Sequence, residues 1–287
     1  MPPASAAVQT LRLFIAIGYD LVTYALLRIS QRRTPRSKRK APLPLPTAGA
    51  NGVDSHTTIS CVISAYNEVH SIAAAVETAT AAHVEVIVVD GGSTDGTRAV
   101  AAAAGASTLT ATYPTRAACL NAGAAAASGD LLLFLHADTR LPAGYGSLVR
   151  EALRTPAVAL AAFRLSLAPR NLRGLSLVEW GANRRSRVHS LPYGDQALCC
   201  RREVFECLGG FPDQPLLEDV ELVCAARAIG EVRILPDRVV SSSRRWAKFG
   251  VLGNTMLNQC VLLGRELGVP AATMARWYYG AAGKKDY

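Results

Sequence analysis

The 287-residue sequence predicts an α/β fold, a single domain with one mostly parallel central sheet flanked by helices. Three observations predict it. Short apolar runs recur between Thr58 and His136, each followed by a stretch of helical length, which is the pattern of strands joined by crossover helices. The purest run, "LLLFLH" from Leu131 to His136, has no polar member before its last residue, as a strand buried on both faces requires. A content of 50% hydrophobic and 18% charged residues fits a globular chain with a sizeable core rather than a disordered one.

In chain order, residues 1–40 form an apolar and then basic extension. Its apolar part, Leu13 to Leu27, is interrupted by Asp20. A spanning helix needs about 20 apolar residues, and a central charge costs roughly 2.5–3.5 kcal/mol. Four readings stay open: a span, an interfacial amphipathic helix on anionic lipid, a cleaved organelle-targeting peptide, or a helix packed on the domain. For a span, "RRTPRSKRK" would hold the downstream chain in the cytoplasm, so 11–40 is the segment expected to associate with membrane, against the alternative of a soluble cytoplasmic protein. Residues 41–56 read as a Pro-, Gly- and Ala-rich linker, and 57–287 as the domain.

Within the domain, "TISCVIS" is a strand and "EVHSIAAAVETATA" a helix with Ile72, Val76 and Ala79 on one face. "VEVIVVD" is a strand, "GTRAVAAAAG" a helix closed by glycine, "STLTAT" a strand and "TRAACLNAGAAAAS" a helix leading into "LLLFLH". Beyond Pro156 the alternation loosens. "AVALAAFRLSLAP" is strand-like, "LSLVEWGANRRSRV" and "LEDVELVCAARAIG" are helices, and "FGVLGNTMLNQCVLLGRELG" is a long apolar-faced helix.

The net charge of +9 does not indicate nucleic acid. Eight lysines and arginines lie between Met1 and Lys40 against Asp20 alone, so the body of the chain is nearly neutral. The seven cysteines lack CxxC spacing and read as reduced, mostly buried thiols.

Four groups of polar residues fall at predicted strand or helix ends, where open α/β sheets bind ligands. "SAYNE" (Ser64–Glu68) follows the first strand. "VVDGGSTDGT" ends the second; it reads as a capped turn or a ligand loop, and it lacks the G-x-G-x-x-G spacing of a dinucleotide fingerprint. "HAD" (His136–Asp138) ends the apolar strand, and Asp138 could anchor a hard divalent cation together with substrate phosphates. "LLEDVEL" places Glu218 and Asp219 in the first turn of a helix, where dipole stabilisation alone also favours acids.

In this order and spacing the four groups, with "RAACLNAGA", "YGDQAL" and "SSSRRW", resemble the family 2 glycosyltransferases of the GT-A fold, over roughly Thr58 to Trp246. Within the family they are most similar to a bacterial-type subgroup with "HAD" as its metal motif. The resemblance implies that Ser64, Tyr66 and Glu68 touch the nucleotide, and that Asp90 and Asp95 serve uracil and ribose, with Gly91 standing where many members carry a second Asp. It implies that Asp138, with His136 beside it, holds Mn²⁺ or Mg²⁺ and the sugar diphosphate. Asp219 of the Glu218–Asp219 pair becomes the catalytic base, Arg245 and Trp246 lie near the diphosphate, and Arg116 faces the donor. Asp195 and Gln196, with Trp180, border the acceptor.

Chemically this set suits an inverting transfer from a nucleotide sugar to a hydroxyl or phosphate. A cation stabilises the departing diphosphate while a carboxylate takes the acceptor proton, and no covalent intermediate is needed. A lipid-linked acceptor would suit a membrane-tethered enzyme. The rivals are a non-catalytic nucleotide-sugar binder or membrane scaffold, and a nucleotidyltransferase. The latter should show a glycine-rich basic loop after the first strand, and "SAYNE" has neither feature.

Overall fold

Five apolar side chains in succession place β4 (Leu131–His136) in the middle of the sheet. The computed structural model describes residues 52–111 and 115–280. Leu131, Leu133 and Leu135 enter one buried cluster and Leu132 and Phe134 the other, so the strand is covered on both faces. The extension at 1–40 and most of the linker, for which the sequence leaves several structures open, lie outside the described residues. Among the described residues no helix is long and apolar enough to cross a membrane.

The first half of the sheet follows the predicted alternation. β1 (Ile59–Ala65), β2 (Val84–Asp90) and β3 (Ser107–Thr110) run parallel to β4 in the order β3-β2-β1-β4. Crossovers α1 (Ile72–Ala79), α2 (Thr97–Ala103) and α3 (Arg116–Ala126) connect them. The chain winds outward from β1 to β3 and then returns to the other side of β1. The strand order therefore reverses between β1 and β4, which is where such sheets open a ligand crevice. Register sharpens this point. Ala65 pairs with Asp90 and Ser64 with His136, so three strands end level and present their next residues to one space.

Helix α3 lies unusually close to the sheet because position 123 is glycine. A Cβ there would meet Val62 Cγ1 at 2.3 Å and Val89 Cγ2 at 2.9 Å. Under β4, the rings of Phe134, Phe205 and Phe211 meet with centroids 4.8–5.6 Å apart and anchor the opposite face.

The second half is mixed. β7 (Leu198–Arg201) pairs antiparallel with β4 and with β6 (Val158–Ala168), and β8 (Glu231–Ser242) runs parallel to β6. The sequence pattern does not predict β8, since Pro236 and the charged Arg233, Asp237 and Arg238 break its apolar run. It forms across an irregularity: the register jumps from Ile234 to Arg238 while β6 advances from Ala162 to Arg164, and Pro236 sits in the excess. The short β5 (Thr139–Arg140) then pairs with the end of β8, Thr139 opposite Ser241. That pairing carries the "SSSRRW" segment to the side of Asp138.

Helices α4 (Tyr145–Leu153), α5 (Leu175–His189), α6 (Arg202–Leu208) and α7 (Glu218–Ile229) complete the layers. α8 (Arg244–Phe249), α9 (Val251–Leu267) and α10 (Ala271–Tyr279) follow β8. Cys61, Cys119, Cys199 and Cys200 are buried and all seven cysteines are free, as their spacing suggests.

Candidate active site

The level strand ends, the first turn of α7 and the helices after β8 enclose a cavity of about 210 Å³. Its wall includes Ser64, Glu68, Arg116, His136, Asp138, Asp195, Asp219, Arg244, Arg245 and Trp246. Residues separated by up to 182 positions in sequence thus share one space, for the topological reasons given above.

On one side stands Arg116, at the start of α3, whose preceding Thr115 caps the helix by accepting from Ala118 N–H at 3.1 Å. Its guanidinium pairs with Glu218 through Nε, approaches Asp219 Oδ1 at 3.8 Å, and donates to His136 Nε2 at 3.0 Å. A guanidinium cannot accept, so His136 Nε2 is the acceptor and its proton resides on Nδ1. Burial, reinforced by Arg116, pushes the His136 pKa down to about 3, so the ring is neutral. Glu218 is buried and its pKa is raised by that burial. It lines a small neighbouring space with Arg116 and Gly194 rather than the main cavity, where it orients Arg116.

Asp219 reaches the cavity itself. Its Oδ2 accepts from Gly194 N–H at 2.6 Å and its Oδ1 from its neighbour Val220 N–H at 2.9 Å, which fixes the carboxylate plane. Gly194 must be glycine for this approach: a Cβ would lie 2.7 Å from His136 Nε2 and 3.0 Å from Asp219 Oδ2. Leu217, just before the pair, adopts a left-handed φ of 66°. For a leucine this costs about 1 kcal/mol, a local strain that turns Glu218 and Asp219 inward.

On the other side Arg244 holds two acids at once. It forms a bidentate pair with buried Glu68, with Nη1 to Oε2 at 2.7 Å, and lies 3.4 Å from Asp138 Oδ2. Burial raises the Asp138 pKa to about 6, with Arg244 opposing and Glu68 adding to the rise. Asp195 is likewise raised to about 6 by burial, against the pull of Arg185. Arg245 packs its guanidinium 3.8 Å from the ring centre of Tyr278 and donates to the Tyr278 carbonyl at 3.4 Å.

Not every residue implied by the resemblance meets the cavity. Asp90 accepts from the backbone and hydroxyl of Ser93, while Asp95 accepts from Val69 N–H at 3.1 Å and Thr97 N–H at 3.0 Å. Asp95 thereby fastens the loop after β2 to the loop after β1, Asp90 holds Ser93 within its own loop, and neither lines the cavity; Tyr66 is half-buried beside Gly91, also outside it. Gln196 is fully buried, its amide spent on Phe163 O at 2.7 Å and Ser186 Oγ at 2.7 Å, so it faces the core rather than an acceptor. Trp180 is 44% exposed on α5 and does not reach the cavity. Arg244, of the "SSSRRW" segment, and Tyr278 and Tyr279 also line the wall, while Arg185 and the α9 amides Asn254, Asn258 and Gln259 line it without having been singled out from sequence.

Among the described residues no group of three or more His, Cys, Asp or Glu stands together as a metal site. Asp138 is the one acid of the "HAD" motif, and His136 Nε2 is engaged by Arg116. One carboxylate suits a Mg²⁺-like cation that draws its remaining ligands from substrate phosphates and water.

Comparison with known proteins follows the same lines. A family model described as glycosyl transferase family 2 matches residues 60–209, just over half of the chain. No curated protein matches. Among solved structures, the mannosyltransferase PcManGT from Pyrobaculum calidifontis, in complex with GDP-Man and Mn²⁺, is 19% identical with a TM-score of 0.55, over 88% of this chain and 75% of that one. Glucosyl-3-phosphoglycerate synthase from Mycobacterium tuberculosis, in complex with Mn²⁺, UDP and phosphoglyceric acid, is 23% identical with a TM-score of 0.51, over 75% and 80%. These two likenesses bear out the GT-A fold expected from the motifs. With its motifs at the ends of the matching strands, the chain belongs to glycosyl transferase family 2 and is a glycosyltransferase.

Proposed function

We propose that the protein transfers a sugar, with inversion, from a nucleoside-diphosphate sugar to an acceptor hydroxyl or phosphate, with Asp219 as general base. The observation that carries this reading is the convergence of Asp219 and Asp138, from different elements, on one cavity that also receives Arg116, Arg244 and Arg245.

The cavity is small beside the 300–1,000 Å³ usual for ligand sites. The base and ribose therefore rest outside it, along the fastened loops near Tyr66 and Asp90, and the sugar diphosphate enters. On entry Arg244 exchanges contact with Glu68 and Asp138 for phosphate oxygens, and Arg116 and Arg245 add positive charge where the leaving group gains negative charge. Asp219, fixed by two backbone N–H groups, takes the proton from the attacking oxygen. Neutral His136 holds Arg116 in place. A divalent cation, held by Asp138, supplies further charge neutralisation when bound; the Mn²⁺ complexes of the structural neighbours support this reading.

The test is a thermal-shift screen of UDP-, GDP- and dTDP-sugars with and without Mg²⁺ or Mn²⁺, followed by turnover with the ligands that stabilise. A ligand at 100 times its Kd stabilises by about 2.7 kcal/mol. Stabilisation by one nucleotide sugar and its turnover are expected; a folded protein that responds to none of them contradicts the proposal.

A further inference from the structure

The proposed function leaves the acceptor unspecified, and the wall built by α8, α9 and the Asp195 turn narrows it. Five buried polar atoms on residues lining the cavity have no hydrogen-bond partner among the described residues: Asp195 Oδ1, Arg245 Nε, Trp246 Nε1, Asn254 Oδ1 and Gln259 Oε1. Native proteins rarely leave such groups unpaired, and their concentration in one wall marks a place where a ligand completes the hydrogen bonding. Asn254 is 1% exposed, so it is not a surface amide that water would satisfy.

The chemistry of the five selects among acceptors. Two are N–H donors and three are oxygens that accept, and the two amides can turn to offer either kind. A phosphate or carboxylate only accepts, so even with both amides turned to donate it would leave Asp195 Oδ1 unmatched and bring a second negative charge beside it. A hydrocarbon chain offers nothing to any of them. A hydroxyl both donates and accepts. Resting on the transfer proposed above, we infer that the acceptor is a small, neutral polyhydroxy compound, seated between Asp195 and the α9 amides Asn254 and Gln259, with Arg245 and Trp246 as donors. All five atoms are covered by protein as α8 and α9 now pack, so acceptor entry is accompanied by side-chain rotation or a small shift of α9.

The test uses the full chain. Saturation-transfer NMR with glucose, ribose and glycerol, in the presence and absence of UDP and Mg²⁺, reads polyol binding without any turnover. The same neutral compounds are then compared with phosphoglyceric acid, glycerol 3-phosphate and farnesyl phosphate as acceptors for whichever nucleotide sugar the protein turns over. A neutral polyol is expected to give an NMR signal and to raise nucleotide release at least tenfold. Asn254→Leu and Gln259→Leu, each checked for folding by circular dichroism, are expected to raise the polyol KM at least tenfold, more than they lower kcat. Cys260→Ser, at an exposed position of the same helix, keeps the parental values. Absence of a polyol signal, preference for an anionic or lipid acceptor, or an unchanged polyol KM and NMR signal in both leucine variants would overturn the inference. Polyol binding that Asn254→Leu abolishes, without turnover of any donor, would uphold the subsite and count against the proposed transfer alone.

Discussion

Two regions flanking the cavity are built in opposite ways. The loops after β1 and β2 are fastened to each other: Asn67 N–H donates to Ser93 Oγ at 2.8 Å, Thr94 N–H to Asn67 Oδ1 at 2.9 Å, and Glu68 N–H to Thr97 Oγ1 at 2.7 Å. The α8–α9 wall instead buries Arg245 Nε, Trp246 Nε1, Asn254 Oδ1 and Gln259 Oε1 without partners among the described residues, and turns Leu252, Met256, Leu263 and Leu267 outward to solvent. The first region is complete before any ligand arrives and the second is not. On the donor side, binding energy need not be spent on ordering the loops, so it can be directed at the departing diphosphate. On the acceptor side, specificity is held in groups that only the right partner satisfies.

The largest expected effect is at the shared boundary. Asp219→Asn removes the base but keeps the hydrogen-bond acceptor for Gly194, so turnover should fall about 10²–10⁴-fold while nucleotide affinity by calorimetry stays the same. Next come the supports of the donor side. Phe134→Ala opens the three-ring cluster beneath β4 and should cost about 3–5 kcal/mol in urea denaturation. Gly123→Ala forces α3 off Val62 and should cost about 1–3 kcal/mol.

The comparison is sharpest in a matched pair of polar deletions. Asp95→Ala strips partners from Val69 and Thr97 and should destabilise by about 1–3 kcal/mol. Asn254→Leu removes a covered group that has no partner through its oxygen, and should leave the stability of the ligand-free protein unchanged or raise it by about 1 kcal/mol. Equal losses in both variants would erase the distinction between the two walls.

A pH effect follows from Asp195. Burial raises its pKa to about 6, above the roughly 3.9 of an unfolded Asp, so the folded state binds the proton more tightly. Its favourable contribution is complete below about pH 4 and is lost as pH rises toward and through 6. Asp195→Asn should therefore gain stability over the parent as pH rises from 4 to 7, by up to about 3 kcal/mol, read as a widening difference in Tm.

Much of the donor side was legible in the sequence. Apolar runs define β1, β2 and β4, and parallel register then brings the residues that follow them together, so Ser64, His136 and Asp138 were identifiable from position alone. Asp90 and Asp95 were legible as loop residues, but their partners were not, because Ser93 and Thr97 bind them through side-chain geometry that spacing does not specify. Arg244 and Arg245 are adjacent, and which one meets Glu68 depends on how β8 ends. β8 was itself hidden by Pro236. Gln196 and Asp195 are likewise adjacent, and a single turn sends one into the core and the other to the cavity. The acceptor wall was least legible: isolated amides in an apolar-faced helix carry no periodic signal.

The most direct measurement is single-turnover transfer or hydrolysis of the stabilising nucleotide sugar by parent and Asp219→Asn, with nucleotide affinity measured on the same samples. Loss of turnover with unchanged affinity is the expected result. Undiminished turnover by the Asn variant would remove Asp219 as the base and contradict the proposed mechanism.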